Sequence, residues 1–346
     1  MSNKDSKTKA FETVNAKQKG FKSEKSRQRF VIAIFAVVVL ILAAFSTLVG
    51  AQLIERFSTT TTTKPTPPSN VTYIPKDAGD IKIGNLLFIS DDYQYSFPQN
   101  VSGIVNLWEY KNNSANDVFT KIRVGEKSFP TYELYGSTHA NRITLESNTL
   151  DAFNKMLLDY CSTLDLTGHE EGSASHLFVA WGHYEDVEEY ENDLKSPSYG
   201  KDYYDHALGT SLTLRYYSDA VNEKILKDKY TWIYENAHKY GFIIRFPGDC
   251  KDHTGYDSSA RVHLRYVGTE HATYIYENGI CLEEYLETLR VKHGFENPLK
   301  FEANGNSYEV YYVKYSGNPT SLPVPKDATY TVSGDNMNGF IVTVTK

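Results

Sequence analysis

Of the ten histidines in this chain, two sit among residues that suit them to chemistry. His206 lies in Asp205-His206-Ala207-Leu208-Gly209, just ahead of the strand-like run at 211–217. His263 lies inside Arg261-Val262-His263-Leu264-Arg265-Tyr266. Taken as a strand, that alternation sends Val262, Leu264 and Tyr266 to one face and Arg261, His263 and Arg265 to the other. Two cations beside His263 disfavour its protonated form, leaving a neutral imidazole able to ligate a metal or accept a hydrogen bond. Neither histidine alone defines a site, because a core imidazole with one hydrogen bond reads the same way.

The elements that must position these residues are legible as periodicities. Leu150, Phe153, Leu157 and Tyr160 share one helical face. Leu226, Tyr230, Ile233, Ala237 and Tyr240 share another, with Gly241 as the stop. Strands are expected at 176–181, 211–217, 241–246, 261–267 and in the tail pair ATYTVSG and GFIVTVT. Helices and strands come in clumps with hairpin-length gaps, so an α+β fold with a largely antiparallel sheet is expected rather than regular βαβ winding. Residues 71–144 read as an N-terminal extension containing the strand-like GNLLFIS (84–90). Residues 300–346 read as a short β-rich appendage, with a turn at Val324-Pro325-Lys326-Asp327 and a hairpin tip at GDNMNG (334–339).

Charge is distributed unevenly along the 346 residues. Residues 1–29 carry nine Lys/Arg against three acids, residues 30–54 carry no charge, and the remainder is strongly acidic, within a net charge of -7. An acidic globular portion excludes a general nucleic-acid binder. The run from Phe30 to Ile54 would extend roughly 37 Å as a helix against a hydrocarbon core of about 30 Å. With Lys17, Lys19, Lys22, Lys25, Arg27 and Arg29 before it, the positive-inside rule predicts a single-pass anchor in the cell membrane, N-terminus cytoplasmic and all that follows extracytoplasmic. A cleaved signal is the rival, with small residues at Val49-Gly50-Ala51, but the polar and apolar stretches are both long for one. The Thr/Pro tract within residues 55–70 is an extended spacer. Cys161, Cys250 and Cys281 are an odd number with no CxxC spacing, and are read as small buried hydrophobes.

One set of motifs is more specific. The run from Trp232 to Pro247, then Thr254-Gly255, then His263-Leu264-Arg265-Tyr266-Val267-Gly268, then Leu282-Glu283-Glu284-Tyr285-Leu286, resembles the VanY-like D-alanyl-D-alanine carboxypeptidases. The order and gaps match over about 145–292. The resemblance implies a zinc D,D-peptidase (VanY/Hedgehog-like) fold, an antiparallel sheet flanked by helices, over an extracytoplasmic domain of residues 71–299. It also implies a zinc ion held by His, Asp and His, with a Glu as general base acting on a metal-bound water.

This chain departs from that pattern at the reacting groups. In the frame Ser-x-His-x-x-Gly-x-Ala-x-Asp, His206 and Gly209 are present but Thr213 stands at the Asp ligand. In Glu-Pro-Trp-His-x-Arg-Tyr-Val-Gly, His263 and Arg265 are present but Ala260 stands at the base. The substrate-gripping Arg of Gly-Tyr-Arg-Ser aligns with Tyr184, followed by Glu185. A neutral hydroxyl is a poor substitute for a carboxylate ligand, so zinc is expected to bind weakly or not at all. Ala260 cannot accept a proton, a role worth about 10²–10⁴ in rate. Asp205, Asp257 and His183 are the nearby residues that could stand in, each read as exposed-loop chemistry otherwise. The implied site is thus His206 and His263 as residual metal ligands, with Tyr184 and Arg265 toward substrate. Three functions follow. The first is an inactive carboxypeptidase domain binding cell-wall peptide or an envelope protein. The second is an active zinc D,D-carboxypeptidase trimming terminal D-Ala from peptidoglycan stem peptides. The third is a structural ectodomain using exposed tyrosines as an interface.

Overall fold

The computed structural model describes residues 70–90, 92–93, 95, 103–134, 142–168, 177–184, 205–216, 231–254 and 262–346. The basic tail, the apolar segment at 30–54 and nearly all of the Thr/Pro spacer lie outside them. Among the described residues, no helix is long and apolar enough to cross a membrane. Residues Ser69–Lys346 form one compact unit.

The strands, in chain order, are β1 (Val71–Lys76), β2 (Ile104–Asn106), β3 (Lys121–Val124), β4 (Lys127–Pro130), β5 (Glu133–Leu134), β6 (Ile143–Glu146), β7 (Leu177–Trp181), β8 (His183–Tyr184) and β9 (Ser211–Tyr216). They continue as β10 (Phe242–Ile244), β11 (Val262–Tyr266), β12 (Leu299–Ala303), β13 (Asn306–Lys314), β14 (Thr320–Pro325), β15 (Thr329–Gly334) and β16 (Gly339–Thr345). The central sheet has the order β10-β11-β9-β7-β5. Only the short β5–β7 pair in it is parallel, so the expected antiparallel character holds.

Helix α1 (Ser147–Ser162) covers one face of this sheet. Glu146 caps it, its carboxylate accepting from the Thr149 backbone N–H at 3.0 Å, and Leu150, Phe153, Leu157 and Tyr160 are buried as their spacing predicts. Phe153 and Leu157 share one buried cluster with Val179, Leu214 and Leu264, the inward residues of β7, β9 and β11. Each such side chain contributes about 1.5–3 kcal/mol by leaving water. The helical run at 231–236 tightens into a 3₁₀ turn at Ala237–Tyr240 and stops at Gly241. There φ is +88°, and a Cβ would lie 2.6 Å from the Tyr266 ring. Ile233 and Ala237 are buried as read, while Leu226 and Tyr230 lie outside the described residues.

A second layer is built by α2 (Thr269–Asn278), α3 (Leu282–Lys292) and the sheet β12-β13-β16-β15. β1 joins this end of the molecule by pairing with β14. The stretch at 84–90, expected as a strand, enters no ladder. Its backbone groups are taken instead by Ser333, Asp335, Asn336 and Arg265, which removes the need for a partner strand. The tip at 334–339 forms as read. Asp335 Oδ1 accepts from the N–H groups of Met337, Asn338 and Gly339 at 2.8, 2.8 and 2.9 Å. Asn336 reaches out of the tip to the carbonyls of Phe88 and Tyr93, so the C-terminal hairpin clasps the segment that borders the site. Tyr132, Tyr285 and Tyr311 are fully buried, whereas Tyr73, Tyr93 and Tyr276 are exposed.

Candidate active site

The site is assembled on the face of the central sheet away from α1. Strands β9 and β11 pair so that Thr213 lies opposite His263 and Ser211 opposite Arg265. Opposite residues point to the same side. Leu212, Leu214, Val262 and Leu264 therefore go to the core, while Ser211, Thr213, His263 and Arg265 share the other face. That face is polar, as expected from the alternation, and it is buried: His263, Arg265 and Thr213 are fully covered. His206 arrives from the turn before β9, which Gly209 closes at φ +68°.

These placements put one hydroxyl between two imidazoles. Thr213 Oγ1 is 3.0 Å from His206 Nε2 and 2.9 Å from His263 Nδ1. The two rings stack with centroids 4.8 Å apart and 28° between planes, and the Phe246 ring lies 5.3 Å from that of His263.

Asp205 sits beside this cluster, and its surroundings overturn the exposed-loop reading. The residue is buried. Its Oδ1 accepts from Arg265 Nη1 at 2.7 Å and Arg245 Nε at 3.4 Å, and its Oδ2 accepts from Ser211 Oγ at 2.6 Å. Oδ2 is also 3.5 Å from His263 Nε2, so His263 faces a carboxylate and not merely cations. Burial by itself would raise the Asp205 carboxyl. The guanidiniums of Arg265 and Arg245, aided by His263, outweigh it and hold the group well below the usual carboxylate range. Arg245 is also gripped by Glu283 through bonds of 3.0 and 2.8 Å. Arg265, which the resemblance directs toward substrate, donates through Nη2 to the carbonyls of Asn85 and Leu87, both at 3.1 Å. One clue to this network lay in the sequence: Arg265 falls on the same strand face as His263, and a buried guanidinium requires an anion.

The other expected residues are distributed as follows. His183 is in β8, in the sheet β2-β6-β8. It is buried with Nδ1 2.6 Å from Thr144 Oγ1, and burial lowers its pKa to about 4. Of Tyr184 the structure describes only the backbone, paired with Ile143. Glu185, Asp257 and Ala260 lie outside the described residues. A cleft of about 230 Å³ opens beside the network, with Asp205, Arg245, Phe246 and Glu283 on one side and Phe88 and Asp92 of the clasped segment on the other.

The two-layer α+β frame thus sets one imidazole on β11 and the other on the turn before β9. The vancomycin-resistance D,D-dipeptidase VanXYg, solved with a D-Ala-D-Ala phosphinate analogue, matches with a TM-score of 0.56 over 80% of this chain and 99% of its own, at 21% identity. Residues 189–269, which include His206, Thr213 and His263, match the VanY model, D-alanyl-D-alanine carboxypeptidase. A D-alanyl-D-alanine carboxypeptidase of Enterococcus faecium is 29% identical over 265 residues, 75% of each chain. One from Enterococcus faecalis is 42% identical over 84 residues, 24% of this chain and 30% of its own. The chain is thus similar to the VanY-like D-alanyl-D-alanine carboxypeptidases, over residues 189–269 by the family model and over three quarters of its length by the Enterococcus faecium relative.

Proposed function

We propose that this chain is a membrane-anchored, extracytoplasmic member of that family that binds cell-wall stem peptide without hydrolysing it. The Thr213 hydroxyl, hydrogen-bonded to both imidazoles, carries this reading. A hydroxyl has one proton, so it donates to one imidazole and accepts from the N–H of the other, whose nitrogen then has no lone pair for a metal. One imidazole nitrogen and a neutral hydroxyl do not fit a catalytic zinc, which takes three protein ligands. The adjacent carboxylate, Asp205, is committed to two guanidiniums. Ala260 supplies no base at the position where the resemblance places one.

The binding half of the proposal rests on the retained fold, the cleft beside Asp205 and the D-Ala-D-Ala analogue held by the similar dipeptidase. The anchor rests on the apolar run at 30–54 and its basic flank. The test is D-alanine release from a pentapeptide ending in D-Ala-D-Ala, with and without added zinc, alongside calorimetric binding of the same peptide. Binding without release is expected. Zinc-dependent release that disappears in His206→Ala and His263→Ala would overturn the inactive reading, and a peptide that fails to bind would overturn the binding role.

A further inference from the structure

A second set of ligating side chains converges away from the imidazole pair. Cys250 ends the 3₁₀ turn Gly248–Cys250 that follows β10, Cys281 is the N-cap of α3, and Glu284 is in the first turn of that helix. The two sulfurs and a Glu284 carboxylate oxygen all lie within 4.8 Å of one another. His253, on the helical turn Lys251–Thr254, places Nε2 3.1 Å from Glu284 Oε1. We infer that Cys250, Cys281, Glu284 and His253 form a binding site for a thiophilic divalent cation of the zinc type, separate from the family's motif positions at 206, 213 and 263.

The geometry is near what such an ion requires. Tetrahedral zinc, with bonds of about 2.3 Å to sulfur and about 2.0–2.2 Å to nitrogen or oxygen, sets its ligand atoms roughly 3.3–3.8 Å apart. Cys250 Sγ is 3.9 Å from Glu284 Oε2, so Cys250, Cys281 and Glu284 close around an ion with small side-chain movements, while the exposed His253 ring, outside that 4.8 Å group, must swing in from Glu284 Oε1. Two sulfurs, an imidazole and a carboxylate select zinc-like metals over magnesium or calcium, which prefer oxygen alone. The site is also braced. The Cys281 N–H donates to Glu284 Oε2 at 3.0 Å and orients the carboxylate. Both cysteines are buried, but His253 has a side chain 53% exposed and Glu284 one 31% exposed, which leaves a route for the ion. Binding releases the two thiol protons to solvent. An ion here ties the turn at 248–254 to the start of α3, where Glu283 holds Arg245. It thereby steadies the Asp205 network from outside.

The full reduced chain, purified in detergent, is titrated with Co²⁺. One equivalent should produce a near-ultraviolet thiolate-to-cobalt charge-transfer band that zinc displaces. The band should persist in the His206→Ala/His263→Ala double variant and vanish in Cys250→Ser. His253→Ala, a change at a largely exposed side chain, should weaken Co²⁺ binding by about tenfold or more while the circular dichroism spectrum stays unchanged. The site is overturned if the reduced chain gives no such band or if the band survives Cys250→Ser. Recovery of a Cys250–Cys281 disulfide from cells lysed into an alkylating reagent would likewise assign the pair to oxidation and overturn it.

Discussion

Asp205→Asn probes the charge network that has taken over the site. The substitution keeps the side chain's shape and removes the one negative charge lying between two buried guanidiniums. Arg245 loses little, because Glu283 still grips it at 3.0 and 2.8 Å. Arg265 is left fully buried and charged, received by the carbonyls of Asn85 and Leu87 and by a neutral amide oxygen where a carboxylate stood. Removing one partner of a buried ion pair costs about 3–5 kcal/mol. The carbonyls and the retained Glu283 put the expected loss at the lower end, about 3 kcal/mol. At about 2–4 °C per kcal/mol for a unit of this size, Tm should fall by about 6–12 °C. Urea unfolding followed by circular dichroism measures the loss. The double variant Asp205→Asn/Arg265→Met should recover at least about 1 kcal/mol relative to the sum of the single changes, since it removes the stranded charge. A loss below about 1 kcal/mol in Asp205→Asn, or strict additivity in the double variant, would refute the reasoning.

Further outcomes follow from other sites. His183 has its pKa lowered by burial from 6.5 to about 4, so folding favours its neutral form. Its contribution is complete above about pH 6.5 and fades as the pH falls toward 4, by as much as about 3 kcal/mol. His183→Gln should flatten that slope in acid denaturation. Thr213→Asp should raise zinc content by one equivalent over the unchanged chain in elemental analysis. Adding Ala260→Glu should still give little D-alanine release, because position 184 lacks the cation; unchanged zinc content, or family-like turnover, would contradict this. Asp335→Ala strands the N–H groups of Met337, Asn338 and Gly339 and should cost about 1–3 kcal/mol. It should also speed hydrogen exchange at the Phe88 amide, which bonds to the Asp335 carbonyl.

Several features are local consequences of the sequence. The spacing of Leu150, Phe153, Leu157 and Tyr160 fits only a helix with one buried face. Gly241 ends a helical run because that position needs a positive φ, and GDNMNG turns because Asp335 can bond to the N–H groups just after it. The alternation around His263 assigns His263 and Arg265 to one face of a strand, and the motif spacing marks Thr213 and Ala260 as departures from the family pattern. None of this required knowing what lies across the sheet.

What lies across it is decided by tertiary structure. Periodicity says which way a side chain points, but not which distant residue it meets. The β9–β11 register sets the Thr213 hydroxyl between the imidazoles, and a longer closure brings Asp205 between Arg245 and Arg265. The stretch at 84–90 has the composition of a strand, yet its backbone is claimed by a hairpin tip nearly 250 positions away in the chain, at Asp335 and Asn336. Cys250 and Cys281 show no metal-binding spacing, and they meet only because α3 packs its N-terminus against the turn after β10. Short-range torsional and hydrophobic preferences are written along the chain, whereas these contacts depend on loop closures that only the packed fold completes.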